Sequence, residues 1–275
     1  GAQRYWRVVT MTVWAIANQK GGVGKTTTVV SLASHLALKG HSTLLLDMDP
    51  HGSLTPYFGF DPDNIEHSIY TLFQQSEQQP LNAIFKTLKK TSQENMYILP
   101  AATAMATLDR QLGIQSGKGL VIQKTLQQLN DRFEYVLIDC PPMLGVLMVN
   151  ALAACDELLI PVQTEFLALK GLERMLHTLH LINHSRKQKL PYLIVPTMFD
   201  RRTRAGTQTL RKMQQDYEEN LWSDAIPIDT QFRDASKSGI PLPALNPESR
   251  GSMAYERLMK KLIKASPVLK SDQNV

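Results

Sequence analysis

The sequence predicts an α/β fold, a single domain built on a mostly parallel, twisted sheet with helices on both faces. Three features carry that expectation. Short apolar, β-branched runs alternate with helical stretches along the chain. A glycine-rich turn, QKGGVGKTT, joins the first apolar run to the first helical one. With 275 residues, 43% hydrophobic and 20% charged, the chain can bury one sizeable core.

Taken in order, strands are expected at Val13–Asn18, Thr43–Asp47, Met96–Leu99, Glu134–Ile138, Glu157–Pro161, Tyr192–Thr197 and Ala225–Ile228. Helices are expected at Thr26–Lys39, which Gly40 would terminate, and at Gly119–Leu129, Leu144–Ala153, Leu167–Asn183 and Gly206–Glu219. The polar stretch QQSEQQP, Gln74–Pro80, reads as a loop between helices. There is no internal repeat. Residues 1–10 read as an N-terminal extension or expression remnant, residues 11–265 as the folded domain, and 266–275 as a short polar tail.

No apolar run approaches the roughly 20 residues that cross a bilayer, and the first residues lack the charged-then-apolar order of a signal peptide. A cytoplasmic protein is expected. Cys140 and Cys155 are the only cysteines and have no metal-ligand spacing, so buried thiols without chemistry are expected. The net charge of +5 is uneven. From Lys170 onward there are 18 Lys/Arg against 11 Asp/Glu, a balance that suits either an anionic partner or a well-solvated surface.

The chemistry gathers around QKGGVGKTT. Strand, glycine turn and helix together form a phosphate loop, in which the backbone N–H groups of Gly21, Gly22, Val23 and Gly24 converge on phosphate oxygens. Lys25 would reach the β and γ phosphates, Thr26 would hold Mg²⁺ through its hydroxyl, and Thr27 would add a donor. The stretch FEYVLIDCPP, four apolar residues closed by Asp139, is a Walker B pattern and would complete the metal site. In LLLDMDPHGS, Asp47 and Asp49 project to one side of an extended chain. One of them would orient the attacking water. The same spacing also suits turn and helix-cap residues ahead of Pro50 and Gly52.

KGGVGKTT, DMDPHGS and VLIDCPPMLGVLMVNALAACDELLIPVQTEFLALKGLERM resemble the deviant-Walker ATPases of the ParA/MinD family. The likeness continues through PTMFDRRTRAG and ESRGSMAYERL and covers nearly everything from Met11 onward. DPHGS, PTMFDRRTRAG and PIDTQFRDAS look most like the ParC subfamily of ParA homologues, which is associated with chemotaxis arrays. The resemblance implies an ATPase that forms a homodimer around two MgATP and hydrolyses slowly unless a partner stimulates it. It implies that Lys20 crosses the dimer interface to the partner's phosphates while Lys25 serves its own subunit. Asp49 would position the water, and Asp47 would support the metal side with Thr26 and Asp139. Glu165 would contact nucleotide or the signature lysine across the dimer, and Met198, Pro227 and Asp229 would form the adenine pocket. Implied partners are a polar or chemotaxis-array adaptor, with the protein concentrated at a cell pole or on the nucleoid.

Two departures bear on the track. Many partitioning relatives carry arginines in the loop where this chain has Ile228 and Gln231, which leaves Arg201, Arg202, Arg204, Arg211 and Lys212 as the candidates for non-specific DNA binding. The last helical stretch, Ala254–Ser266, carries Leu258, Leu262 and Ile263 on one side and lysines elsewhere. A helix packed on the sheet is expected there, rather than a membrane-binding one.

Overall fold

The computed structural model describes residues 10–18, 24–75, 81–112 and 117–265. Its strands are β1 (Thr12–Ile16), β2 (Thr43–Asp47), β3 (Lys89–Lys90), β4 (Met96–Leu99), β5 (Tyr135–Asp139), β6 (Glu157–Gln163) and β7 (Tyr192–Thr197). The helices of the first half are α1 (Lys25–Leu38), α2 (Leu54–Tyr57), α3 (Ile69–Gln74), α4 (Leu81–Thr87), α5 (Leu108–Leu112) and α6 (Val121–Gln128). Those of the second are α7 (Val146–Ala154), α8 (Phe166–Asn183), α9 (Arg204–Tyr217), α10 (Gln231–Ser238), α11 (Leu242–Leu245) and α12 (Arg250–Ala265).

The strands form one sheet in the order β3-β4-β2-β5-β1-β6-β7, parallel except for β3, which runs antiparallel to β4. Strand alternation divides the core between the two faces. Val13 and Ala15 of β1 face one apolar cluster, with α3, α6, α7 and α8, while Trp14 and Ile16 face the other, with α1 and α12. Both faces are covered, which is why the strands read as continuous apolar runs.

The last helix is packed, as expected. Tyr255, Leu258, Met259 and Leu262 are buried against α1 and the sheet, each burial being worth roughly 1.5–3 kcal/mol. Two polar ties fix its register on α1: the Thr28 and Tyr255 hydroxyls lie 2.8 Å apart, and His35 Nε2 lies 2.7 Å from the Ser252 carbonyl.

The structure corrects one expected strand. Ala225–Ile228 contributes only an isolated bridge, Phe199 to Pro227, beside β7. Pro227 has no N–H for a ladder, and Met198 turns the neighbouring chain with a φ of 50°. The contact is therefore limited to Ile226 N to Pro196 O (2.8 Å), Phe199 N to Ile226 O (3.0 Å) and Ile228 N to Phe199 O (3.2 Å). The two-residue edge strand β3 and the short helices α2 to α5 and α11 have too few residues to show a period, and α10 buries only Ala235, so it has no apolar face to read.

Candidate nucleotide-binding site

β1 lies between β5 and β6, and the connections leaving β1 and β6 run to opposite sides, so the site sits where the strand order reverses. Lys20, Gly21, Gly22 and Val23 lie outside the described residues. The turn into α1 is made by Gly24 with φ 95°, a left-handed conformation that glycine adopts without strain.

Lys25, the first residue of α1, is 1% exposed and is held by charge. Its Nζ lies 2.9 Å from Asp49 Oδ2 and 3.1 Å from Asp139 Oδ1, and it also donates to the Cys140 carbonyl. Burial works against the ammonium, but Asp139 and Asp49 outweigh it and hold the pKa above the usual lysine range. Thr26 Oγ1 donates to Asp139 Oδ2 at 3.2 Å, so the structure brings the two expected metal-side groups together. Burial raises the Asp139 carboxyl against the opposing charge of Lys25. A hydroxyl beside a carboxylate is a hard-oxygen donor set that fits Mg²⁺.

Asp47 and Asp139 end adjacent strands as register partners. Asp47 takes a positioning role that includes the turn-and-cap alternative. Its Oδ1 accepts from Asp49 N at 3.1 Å, and its Oδ2 accepts from Thr55 N at 3.0 Å and Thr55 Oγ1 at 2.6 Å. Burial, reinforced by Asp139, pushes its pKa up to about 7. Thr55 in turn accepts from Ala101 N at 2.9 Å. The loop that carries Asp49 is thus braced from the end of β2 and from the chain after β4. Thr55 was not legible in the sequence, since its partner lies eight residues back and across a turn.

Met198, Pro227 and Asp229 line one cavity of about 200 Å³, together with Gly24, Thr27, Thr197, Arg233 and Tyr255. Asp229 spends its carboxylate on backbone, accepting from Gln231 N at 3.0 Å and Gly251 N at 2.9 Å, so it shapes the cavity by tying α10 to α12. Glu165 is the exposed residue immediately before α8.

Among the described residues, the buried side-chain polar atoms without a hydrogen-bond partner are Asn18 Oδ1, Asp139 Oδ1 and Thr197 Oγ1; the Asp139 atom has only its ion pair with Lys25. They follow or end β1, β5 and β7. Buried polar atoms are rarely left unpaired away from a ligand site. Both cysteines are buried, and burial pushes both thiols up, Cys155 to about 12.

The expected basic stripe is divided. Lys212 pairs with Asp216 at 2.9 Å, and Arg202 is held by Asp200. Arg201 and Arg202 line a second cavity of about 570 Å³ with Arg250 and Arg257, and Pro227 and Ile228 form part of both cavity walls. Arg204 and Arg211 lie exposed on α9. No described helix is long and apolar enough to cross a membrane.

Known proteins resemble this chain in sequence and fold. The sequence model of a family described as "AAA domain" matches residues 11–220. The sporulation initiation inhibitor protein Soj of Bacillus subtilis is 33% identical over 90% of this chain and 96% of its own length. The chromosome partitioning protein ParA of Myxococcus xanthus is 33% identical over 95% of this chain and 91% of its own. Among solved structures, a cobyrinic acid a,c-diamide synthase from Mycobacterium smegmatis with bound ATP analogue and magnesium superposes with a TM-score of 0.77 at 32% identity, covering 92% of this chain and 95% of that one. The phosphate-loop exit, the acidic strand ends and near full-length likeness to Soj and ParA agree, and the chain belongs to the ParA/MinD family of P-loop ATPases.

Proposed function

We propose that this protein is an ATP-dependent dimerising switch that uses slow, partner-stimulated hydrolysis to position intracellular cargo, with chemotaxis arrays at the cell pole as that cargo. The observation that carries the ATP site is Lys25, buried between Asp49 and Asp139 at the start of α1, with the buried Asn18 Oδ1 and Thr197 Oγ1 left without hydrogen-bond partners at or just past the ends of β1 and β7. The cargo reading rests on DPHGS, PTMFDRRTRAG and PIDTQFRDAS.

Thr26 and Asp139 would hold Mg²⁺, which supplies charge neutralisation at the phosphates. A phosphate oxygen arriving at Lys25 competes with Asp49 for the ammonium. Asp49, released from Lys25, then accepts a hydrogen bond from the attacking water while Asp47 keeps its loop in place. The cavity beside Gly24 takes the nucleoside. Dimerisation is supported by exposed apolar residues just past the ends of β5 and β6, the strands on either side of β1. Met143 (70% exposed) and Leu144 follow β5, while Phe166 and Leu167 (75% exposed) follow β6. Lys20 of each subunit would complete the other's site in the manner of an arginine finger.

Sizing the protein with ADP and with ATP tests this reading, using wild type, Lys20→Ala and Asp49→Ala. ATP should convert wild type to a dimer and Asp49→Ala should trap that dimer; a wild type that stays monomeric with ATP removes the switch. Deletion in a polarly flagellated host should displace chemotaxis arrays without loss of DNA segregation. The second cavity, where Arg202 and Arg257 pair with Asp200 and Asp224 and Arg201 and Arg250 also line the wall, favours a second reading, a non-specific DNA track. A steep salt-dependent shift of unrelated duplexes by the ATP-bound protein supports it, and no shift at low salt removes it.

A further inference from the structure

The outer end of α8 carries a pair of imidazoles outside the nucleotide site. His180 lies on the last turn and His184 at the C-cap, four residues on and therefore on the same face. Their Nε2 atoms are hydrogen-bonded to each other at 3.2 Å, so a metal would replace that hydrogen bond with both rings carrying their proton on Nδ1, and both residues are exposed. A metal 2.0–2.1 Å from each nitrogen would subtend about 100–106°, close to a tetrahedral angle. The negative end of the helix dipole favours a cation there, while Arg186 and Lys187 in the following turn oppose it.

We propose that His180 and His184 chelate a borderline first-row divalent cation such as Zn²⁺ or Cu²⁺. Among the described residues no cluster of three or more His, Cys, Asp or Glu could hold a metal. The remaining positions are therefore open to water or to a donor from another chain. Calorimetric titration of the tag-free, full-length protein with Zn²⁺ tests the site, with the melting curve of each variant as a folding check. One equivalent should bind to wild type and to His177→Ala, and binding should be lost in His180→Ala and in His184→Ala. Absence of binding to wild type, survival in both pair variants, or equal loss in His177→Ala would each overturn the two-donor assignment. Cu²⁺ electron paramagnetic resonance should show two nitrogen ligands in wild type and one in either pair variant.

A separate observation concerns Thr197, the last residue of β7, which is 2% exposed and whose Oγ1 has no partner. Its backbone is fixed, because its carbonyl accepts from Thr164 N at 3.1 Å and Thr164 Oγ1 at 3.3 Å. Its side chain lines the cavity next to Gly24, with Oγ1 3.4 Å from where a Cβ on that glycine would stand. We infer that the Thr197 hydroxyl hydrogen-bonds the bound nucleotide, an inference that rests on the nucleotide reading above.

The test uses opposite signs. Thr197→Val removes a buried unpaired hydroxyl, so without nucleotide the variant should melt at or above the wild-type temperature, yet it should bind ADP about five- to tenfold more weakly. Thr197→Ser should restore the affinity. Unchanged ADP affinity in Thr197→Val, or parallel loss of stability and affinity, overturns the inference. Wild type that fails to bind ADP instead overturns the nucleotide reading itself.

Discussion

Lys25 Nζ donates to Asp49 Oδ2 at 2.9 Å, so the lysine of the phosphate loop and the aspartate assigned to the water are engaged with each other inside a nearly dry site. Removing the cation leaves Asp49 and Asp139 buried with no opposite charge. Lys25→Met should cost about 3–5 kcal/mol of stability, read by urea unfolding, and abolish ATP binding. Asp49→Asn should cost much less, since Lys25 keeps Asp139.

Thr55 joins Asp47 to the chain after β4 through its hydroxyl. Thr55→Val should lower stability by about 1–3 kcal/mol, because Asp47 loses a donor and Ala101 N loses its acceptor. Thr55→Ser should recover most of this. Steady-state ATPase measurements should show a fall in kcat with little change in KM if the brace positions Asp49.

His35 is buried between α1 and α12, and burial lowers its pKa from the usual histidine value of 6.5. Below pH 6.5 the unfolded chain takes up a proton that the folded one resists, so stability should fall as pH drops from about 6.5 toward the folded-state pKa. The contribution is fully present above pH 6.5. His35→Gln should flatten that part of the stability profile in thermal melts.

The apolar side of α12 is already occupied by the body of the protein. Leu258→Ala should cost about 2–5 kcal/mol in chemical unfolding, and wild type should not co-sediment with anionic vesicles. Vesicle binding that Leu258→Ala abolishes without loss of stability would contradict the packed arrangement.

Most of the sheet could be read directly. β2, β4 and β7 begin and end where the sequence reading put them, because strands covered on both faces are apolar through their middles. Asp139 was legible because its apolar run follows a phosphate-loop pattern, which sets it apart from the many carboxylates that simply end strands. The run before Ile228 deceived, because its apolar residues line a loop and a cavity wall rather than a ladder. Thr197 gave no signal, being one more polar residue at a strand end.

The sequence by itself determined the fold class, the family and the loop that carries Lys25, because periodicity and a glycine turn are local properties. Tertiary structure decided what those groups touch. Asp47 became a brace for Asp49 because Thr55 returns to it, Lys25 came to lie between two carboxylates because β2 and β5 are neighbours, and Thr197 came beside Gly24 because β1 and β7, parallel strands on either side of β6, end at the same edge of the sheet. Such contacts depend on strand order, which brings residues more than a hundred positions apart within a hydrogen bond and has no period to read.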